Sequence, residues 1–280
     1  MKIKRKPDWL KIQLPKGANF SFVNQTVKEH DLHTICQSGK CPNIGECWGN
    51  GTATFMILGE ICTRSCKFCN TKTGKPLPVD QNEPIKLARS IQLMKLKHAV
   101  ITSVDRDDME DGGAGHWAET VRKIRELNPE TTMETLIPDF DARPELLDLI
   151  IQVKPEIVSH NMETVKRLTP KIRSRAKYDT SLEVIRYLAK NGINAKSGIM
   201  VGIGETDEEI YELMDDLLET GCNILTIGQY LQPSLNHLPV DRYVSPEDFE
   251  KYKEIGLKKG FKIVESAPLV RSSYHAEKQI

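Results

Sequence analysis

The sequence predicts an α/β fold whose core is a parallel sheet. Three observations indicate this fold: short apolar segments alternate with amphipathic ones from about residue 52, the amphipathic segments have helical spacing, and their ends carry helix-capping residues. Repeated strand–helix–strand units are typical of parallel sheets with right-handed crossovers. The six units that can be recognised are too few for a standard eightfold barrel. A closed or partial barrel and an open doubly wound sheet both fit this pattern.

The predicted strands and helices alternate along the chain. The strands are expected at residues 52–58, 98–104, 131–137, 156–160, 195–203 and 223–231. The helices are expected at residues 114–127, 144–153, 182–192, 207–221 and 246–260. Thr206 and Glu209 have the spacing of a capping box, and Ser245 precedes a helix-starting proline. Gly221 and Gly260 are typical helix ends.

The chain is predicted to have three parts. Residues 1–51 do not join the alternation and are expected to pack as an N-terminal extension against the core, which covers residues 52–260. Residues 261–280 form a C-terminal extension. An acidic stretch at residues 103–117 is expected to be a flexible loop after the second strand. Functional groups are expected at the carboxyl ends of the strands, where sites in parallel α/β folds collect.

Charge and hydropathy exclude several classes of function. Lys and Arg together number 39, as do Asp and Glu, so the chain has no net basic charge with which to bind nucleic acid. No apolar run approaches the roughly 20 residues that span a bilayer. The first residues carry charge and proline where a signal peptide has its apolar segment. We therefore expect a cytoplasmic protein without nucleic-acid or membrane partners.

Cysteine usage indicates a metal or iron–sulfur protein. Six of the seven cysteines lie between residues 36 and 69, and thiols in a reducing compartment seldom form disulfides. Cys222 stands apart and is most simply a buried residue at the start of a strand. The clustered thiols are therefore expected to ligate metal.

The clustered cysteines form two sets with different spacing. Cys62, Cys66 and Cys69 follow the first predicted strand as C-x3-C-x2-C, and three ligands leave one iron of a four-iron cluster open for chemistry. A structural zinc site is the alternative, but it requires four ligands, commonly from paired C-x2-C units. The second set, Cys36, Cys41 and Cys47, reads C-x4-C-x5-C and suggests a second cluster.

The C-x3-C-x2-C motif, with Phe68 before its last cysteine, resembles that of the radical S-adenosylmethionine enzymes. The resemblance implies a partial (β/α)6 barrel and an S-adenosylmethionine that binds the open iron and is cleaved to a 5′-deoxyadenosyl radical. The tandem cysteine sets more closely resemble the lipoyl synthase family. Further stretches that carry this resemblance, from about residue 6 to 276, are KPDWLKIQLP, HNMETV, KSGIMVGIGET, GQYLQPS, HLPV and LVRSSYHA.

The family resemblance implies a ligand set for each of two 4Fe–4S clusters. Cys62, Cys66 and Cys69 would hold the radical-generating cluster. The auxiliary cluster would be held by the other three cysteines, Cys36, Cys41 and Cys47, and by a serine of the RSSY motif. We assign this serine to Ser273, with Ser272 as the fallback because the two are adjacent. In the family, the auxiliary cluster is itself the sulfur source.

The reaction implied by the resemblance inserts sulfur at C6 and C8 of an octanoyl chain carried on a protein lysine. Each sulfur consumes one S-adenosylmethionine. The implied partners are octanoylated lipoyl-carrier domains, namely the E2 subunits of 2-oxoacid dehydrogenases and the glycine-cleavage carrier protein. A low-potential electron donor and an iron–sulfur cluster delivery protein are also implied. The rival interpretations are another radical sulfur-inserting enzyme, such as a biotin synthase relative, and an iron–sulfur carrier or electron-transfer protein.

Seven residues are predicted contacts of S-adenosylmethionine: Phe68, Ser103, Asn161, Glu163, Arg173, Met200 and Gly202. Several of them have a structural alternative. Gly202 and its neighbours fit strand-to-helix packing equally well. Asn161 and Glu163 also fit a helix start, and a lone arginine such as Arg173 is commonly a solvated surface residue.

Overall fold

A computed structural model describes residues 5–11, 18–29, 34–38, 41–49 and 52–280. The strands are β1 (Ala53–Ile57), β2 (Ile61–Cys62), β3 (Lys72–Thr73), β4 (His98–Ser103), β5 (Thr132–Leu136), β6 (Ile157–Ser159), β7 (Ala195–Val201), β8 (Ile224–Gln229) and β9 (Ile263–Ser266). The helices are α1 (Ala18–Glu29), α2 (Ile35–Ser38), α3 (Ile44–Gly49), α4 (Glu83–Met94), α5 (Ala114–Leu127), α6 (Pro144–Gln152), α7 (Thr169–Ile172), α8 (Tyr178–Lys190), α9 (Asp207–Glu219) and α10 (Pro246–Lys259). Short 3-10 helices cover Asp8–Leu10, Phe140–Ala142 and Ala276–Lys278.

The core is a seven-stranded parallel sheet in the order β1-β4-β5-β6-β7-β8-β9. Residues from β1, β4, β5, β7 and β8 line one cavity, so the sheet curls around it as an incomplete barrel. Within the described ranges β1 and β9 pair with β4 and β8 and not with each other. The predicted α/β fold with a partial barrel is confirmed.

All six predicted strands are present, and a seventh, β9, lies in the stretch that was expected to be only a C-terminal extension. β9 has four residues that alternate between half-buried and buried, so it lacks the apolar run that marks the central strands. The unpredicted helix α4 connects β1 to β4 and buries Leu87, Ile91 and Met94. It completes the first strand–helix–strand unit of the barrel.

The predicted helix ends are confirmed where capping was expected. Thr206 and Glu209 form both hydrogen bonds of a capping box at the start of α9. The Ser245 side chain accepts a hydrogen bond from the backbone of Asp248 at the start of α10. Cys222 is buried just before β8, as predicted. No helix in the described ranges is long and apolar enough to cross a membrane.

The N-terminal extension packs on the open side of the barrel. Thr34 forms an antiparallel bridge with Phe55 of edge strand β1. The buried Trp48 of α3 stacks on Phe20 of α1, with ring centroids 5.4 Å apart. The extension thus covers an exposed sheet edge. Its predicted boundary at residue 51 lies outside the described residues, as do residues 12–15 of the KPDWLKIQLP stretch.

Candidate active site

A cavity of about 350 Å³ lies at the carboxyl ends of the strands. Both predicted cysteine sets contribute to its lining, through Cys36, Cys41, Cys62, Cys66 and Cys69. Cys47 lies outside the lining. Both serines of the RSSY motif, Ser272 and Ser273, also face the cavity. The fold therefore brings residues separated by more than two hundred positions to one chamber.

The loop carrying Cys62, Cys66 and Cys69 is fixed by contacts to several parts of the barrel. The Cys62 sulfur accepts hydrogen bonds from the backbone N–H groups of Arg64 and Asp105, each at 3.3 Å. The Cys66 sulfur lies 3.7 Å from the Ser174 hydroxyl. His237 reaches the loop through a 3.0 Å contact between its Nε2 and the carbonyl oxygen of Cys69. These contacts hold the cysteine loop in place.

Arg64 organises the acidic segment that follows β4. Its guanidinium contacts three carboxylates, with N···O distances of 3.3 Å to Asp105, 2.8 Å to Asp107 and 2.8 Å to Asp139. Burial raises the pKa of Asp139, but the hydrogen bonds from Arg64 outweigh burial and lower it to about 2. The expectation of a flexible acidic loop was therefore wrong. Asp105 and Asp107 of this segment are held by the buried Arg64 guanidinium, which needs carboxylates close by.

The thiols of the N-terminal set lie close enough to affect one another's ionisation. Burial, followed by the charge of Cys41, raises the pKa of Cys36 to about 11. The pKa of Cys47 is raised to about 12 by burial and then by Cys41 and Cys36. Burial also raises the pKa of Cys41, against the opposing charge of Arg271. These three thiols thus form one electrostatic group.

Burial also raises the pKa values of two thiols in the C-x3-C-x2-C set. Burial, and then the charge of Asp105, raises the pKa of Cys62 to about 12, with a further contribution from Cys69. Burial likewise raises the pKa of Cys69, and the charge of Cys66 adds to this effect. Buried thiols of this kind are poor nucleophiles and become thiolates when they bind metal. All are free cysteines in this structure, so both sets are available as ligands.

The spacing of the thiols fits clusters better than single ions. In the part of the chain that the structure describes, no three His, Cys, Asp or Glu side chains converge closely enough to hold one metal ion. A structural zinc requires four ligands around a single ion. A four-iron cluster instead distributes its cysteine ligands over several irons. Thiols are the usual protein ligands of iron–sulfur clusters, so the chemistry of both donor sets fits such a group.

The C-terminal tail lies against the N-terminal cysteine set. The Asn43 side chain donates a 2.7 Å hydrogen bond to the carbonyl oxygen of Leu269. The Tyr274 hydroxyl and the His275 ring lie 3.2 and 3.8 Å from the carboxylate of Glu46 in α3. These contacts bring the RSSY motif beside the cysteines of the extension.

The two serines of this motif differ in their surroundings. The Ser272 hydroxyl accepts a 2.7 Å hydrogen bond from the Asn161 amide. Within the described ranges the Ser273 hydroxyl has no hydrogen-bond partner, although the residue faces the cavity. Ser273 is therefore the more available of the two as a ligand.

Six of the seven predicted S-adenosylmethionine contacts line the cavity, namely Phe68, Ser103, Asn161, Glu163, Arg173 and Met200. Gly202 does not. A methyl group on Gly202 would lie 2.2 Å from the Gln229 amide nitrogen and 2.4 Å from the Arg242 carbonyl oxygen, and its φ is +92°. Gly202 thus serves close packing at the end of β7.

The structural alternatives for three of these residues are wrong. Arg173 is buried and donates a 2.8 Å hydrogen bond to Ser181, so it is not a solvated surface residue. Asn161 and Glu163 do not start a helix, since the next helix begins at Thr169. Burial raises the pKa of Glu163, and the charge of Arg173 opposes this rise. A carboxyl group and a guanidinium therefore face the same cavity.

Several cavity residues were not predicted from the sequence: Arg64, Asp105, Asp139, His160 and Arg271. His160 contacts the Ser181 hydroxyl through Nε2 and the Ile137 carbonyl through Nδ1, each at 2.9 Å. His160 directly follows β6, and Asp105 lies two residues after β4; these positions at the ends of parallel strands were a usable signal. Arg271 belongs to the RSSY motif, which was a signal for its place near the site. Arg64 offered none, because a surface arginine has the same local sequence.

Comparison with known proteins gives concordant matches in sequence. The chain matches the Radical SAM superfamily over residues 56–217 and the N-terminal domain of lipoyl synthase of the Radical SAM family over residues 1–41. Lipoyl synthase of Bacteroides fragilis strain YCH46 is 67% identical, with 99% of this chain and 96% of the relative covered. The mitochondrial lipoyl synthase of Nematostella vectensis is 62% identical, with 98% and 95% covered.

A solved structure supports the fold. Streptococcus suis SuiB bound to S-adenosylmethionine has a TM-score of 0.59 with this chain at 10% identity, covering 89% of this chain and 62% of that one. At this identity the likeness concerns the architecture of the barrel. It agrees with the curled parallel sheet described above.

Proposed function

The chain belongs to the lipoyl synthase family of radical S-adenosylmethionine enzymes, and on this premise we propose how its cavity performs the family reaction. The reaction inserts sulfur at C6 and C8 of an octanoyl group on a carrier-protein lysine. The observation that carries the proposal is that one cavity is lined by cysteines of both sets and by Ser273. A radical source and a sulfur source would thereby face the same substrate.

The proposed ligand sets follow the two cysteine groups. Cys62, Cys66 and Cys69 hold a 4Fe–4S cluster with one open iron. The auxiliary 4Fe–4S cluster, which is consumed as the sulfur donor, is held by Ser273 and the other three thiols, Cys36, Cys41 and Cys47. The absence of a hydrogen-bond partner for the Ser273 hydroxyl in the described ranges supports this choice of serine. An alkoxide is a hard ligand on a soft cluster, so it suits a site that must be dismantled.

When bound, the cluster and S-adenosylmethionine supply a radical that takes hydrogen from unactivated C–H bonds, which side-chain bases cannot deprotonate. The chain's own residues position the reactants. Arg173 is oriented by Ser181 and is suited to bind the methionyl carboxylate. Glu163 can accept hydrogen bonds from the methionyl ammonium, and Phe68 can stack on the adenine. Ser103 and Met200 complete this side of the cavity.

The remaining lining suits a hydrocarbon chain. Val100, Leu136, Ile137 and Ile199 present apolar side chains to the cavity. Val100, Ile137 and Ile199 are buried, which helps to exclude water from the carbon atoms that must react, and an apolar wall favours an octanoyl chain over a charged one.

The finer partner assignments are part of the proposal. Octanoylated lipoyl-carrier proteins are the substrates of the family, and we assign the E2 subunits of 2-oxoacid dehydrogenases and the glycine-cleavage carrier to this chain. Turnover also requires a low-potential electron donor and a protein that delivers iron–sulfur clusters. We expect these encounters in the cytoplasm.

Anaerobic reconstitution tests the proposal. The chain is loaded with iron and sulfide, then mixed with reductant, S-adenosylmethionine and an octanoyl-lysyl peptide, and products are followed by mass spectrometry. We expect about eight irons per chain for two four-iron clusters, 5′-deoxyadenosine, and a peptide with two added sulfurs. Bound iron without 5′-deoxyadenosine would instead identify an iron–sulfur carrier. 5′-Deoxyadenosine with an unmodified peptide would point to another substrate.

A further inference from the structure

Three arginines line the cavity, and they differ in how their charge is compensated. Arg64 contacts three carboxylates, and Arg173 faces Glu163, whose ionisation it favours. Arg271 has no carboxylate partner in the described ranges. Arg271 is half-buried, and withdrawing a guanidinium even partly from water without an anion beside it is costly. Arg271 therefore fits a site that is completed by a negatively charged ligand.

The local backbone holds the Arg271 side chain in place. Its Nη1 donates a 2.6 Å hydrogen bond to the carbonyl oxygen of Val270, and the Tyr274 N–H donates to the Arg271 carbonyl at 2.8 Å. The tail lies tightly on Gly228 of β8, where an added methyl group would be 2.1 Å from the Val270 carbonyl and 3.2 Å from the guanidinium. This fit restricts the positions that the charge can occupy.

The groups that would become anions here are the thiols of the N-terminal set, which ionise when they bind metal. Arg271 and Cys41 both line the cavity, and each favours the charged form of the other. Ser272 and Ser273 follow Arg271 directly in the chain. Three thiolates and an alkoxide around a cluster would gather net negative charge at this place.

We propose that Arg271 is a positioning residue for the auxiliary cluster, whose negative charge its guanidinium offsets. The inference rests on the proposed function, which assigns that cluster to Cys36, Cys41, Cys47 and Ser273. Because the reduction potential of an iron–sulfur cluster depends on nearby charge, the cation favours the reduced state. Removing it lowers the potential of the auxiliary cluster.

The test uses the full chain carrying Cys66→Ala, so that signals from the catalytic cluster do not interfere. Arg271→Met removes the charge and keeps most of the volume, whereas Arg271→Lys keeps the charge. Arg186→Met is the matched control, because Arg186 is an exposed residue on α8 paired with Glu183. Each chain is reconstituted, its iron and sulfide are counted, and its cluster is titrated with reductant under electron paramagnetic resonance.

We expect Arg271→Met to move the midpoint potential of the auxiliary cluster to a more negative value. The potential of Arg271→Lys should lie between those of Arg271→Met and the parent. The potential of Arg186→Met should match that of the parent. Failure of Arg271→Met to retain the cluster, with retention in Arg271→Lys, also supports a charge role. An unchanged potential in Arg271→Met overturns the proposal. Loss of the cluster in both variants overturns it too, because the side chain would then act through packing. A parent chain that binds no auxiliary cluster refutes the proposed function itself.

Discussion

The side-chain amide of Asn161 lies 2.7 Å from the hydroxyl oxygen of Ser272, and this hydrogen bond joins the end of β6 to the C-terminal tail. The same amide contacts the Glu163 carboxylate at 3.2 Å. Asn161 thus connects the side of the cavity proposed for S-adenosylmethionine to the side proposed for the auxiliary cluster. Because Ser272 is engaged here, we propose Ser273 as the serine that binds the auxiliary cluster.

The two serines should therefore respond differently to substitution. Ser273→Ala should retain the catalytic cluster and 5′-deoxyadenosine formation but yield no lipoyl product. Ser272→Ala loses one hydrogen bond, worth about 1 kcal/mol, and should still form product. Iron content and product mass for each variant check this. Full product from Ser273→Ala would transfer the ligand role to Ser272 or remove it from the motif.

The two cysteine sets should also separate functionally. Cys66→Ala should abolish cleavage of S-adenosylmethionine, because the open-iron cluster loses one of only three protein ligands. Cys41→Ala should retain some cleavage and give no thiolated product, because the sulfur donor is not assembled. Chromatography of 5′-deoxyadenosine alongside mass spectrometry of the peptide measures both. Equal loss of cleavage in the two variants would contradict the division into two clusters.

A buried ion pair inside the sheet should matter for stability. Lys196 and Glu134 are fully buried, with Nζ and Oε2 2.8 Å apart. Burial raises the pKa of Glu134, and Lys196 opposes this. Lys196→Met leaves an unpaired carboxylate and should lower the free energy of unfolding by about 3–5 kcal/mol.

Urea unfolding of the cluster-free chain measures this change. The double variant Glu134→Leu with Lys196→Met is the control and should lose less than Lys196→Met alone, since no charge stays buried. A single variant within about 1 kcal/mol of the parent, the size of a surface substitution, would refute the role of the pair.

Acid should destabilise the fold through its buried histidines. Burial, and then the charge of Arg173, lowers the pKa of His160 from 6.5 to about 4. Between pH 6.5 and about pH 4, His160 is therefore protonated in the unfolded chain and neutral in the folded chain. The free energy of unfolding falls as the pH drops through this range. The contribution of His160 is at most about 3 kcal/mol.

Denaturation of the cluster-free chain at pH 7 and pH 4.5 tests this prediction. His160→Gln cannot titrate here, so its loss of stability between the two values should be smaller than that of the parent. His98, whose pKa is also lowered to about 4, mainly by burial, contributes equally to both chains. Identical losses in parent and variant would show that His160 is not kept neutral by the fold.

The features that sequence could predict are those set by local spacing. Cys62, Cys66 and Cys69 are ligands within one loop, so their spacing alone indicates a cluster. The same holds for the capping box at Thr206 and Glu209, which satisfies backbone groups within one turn. The strands were recognisable because both faces of a parallel sheet are buried, which requires runs of apolar residues.

The features that sequence could not predict depend on tertiary contacts. Nothing near Arg173 in the chain indicates that it is buried and bonded to Ser181, and nothing near Arg271 indicates that it lines the same cavity as Cys41. Strand β9 forms because β8 offers an unpaired edge, so its own four residues need little apolar character. Helix α4 was predictable from the sequence, because Leu87, Ile91 and Met94 recur at helical spacing.

The most direct test of the proposed sulfur source follows the sulfur atoms from the cluster into the product. The chain is reconstituted with sulfur-34 sulfide, freed of unbound sulfide, and given S-adenosylmethionine, reductant and an octanoyl-lysyl peptide in ordinary buffer. We expect a lipoyl product with both sulfurs labelled, and no more than one product per chain, because the auxiliary cluster is consumed. A product with unlabelled sulfur, or several products per chain without added sulfide, would contradict the claim that Cys36, Cys41, Cys47 and Ser273 hold the sulfur donor.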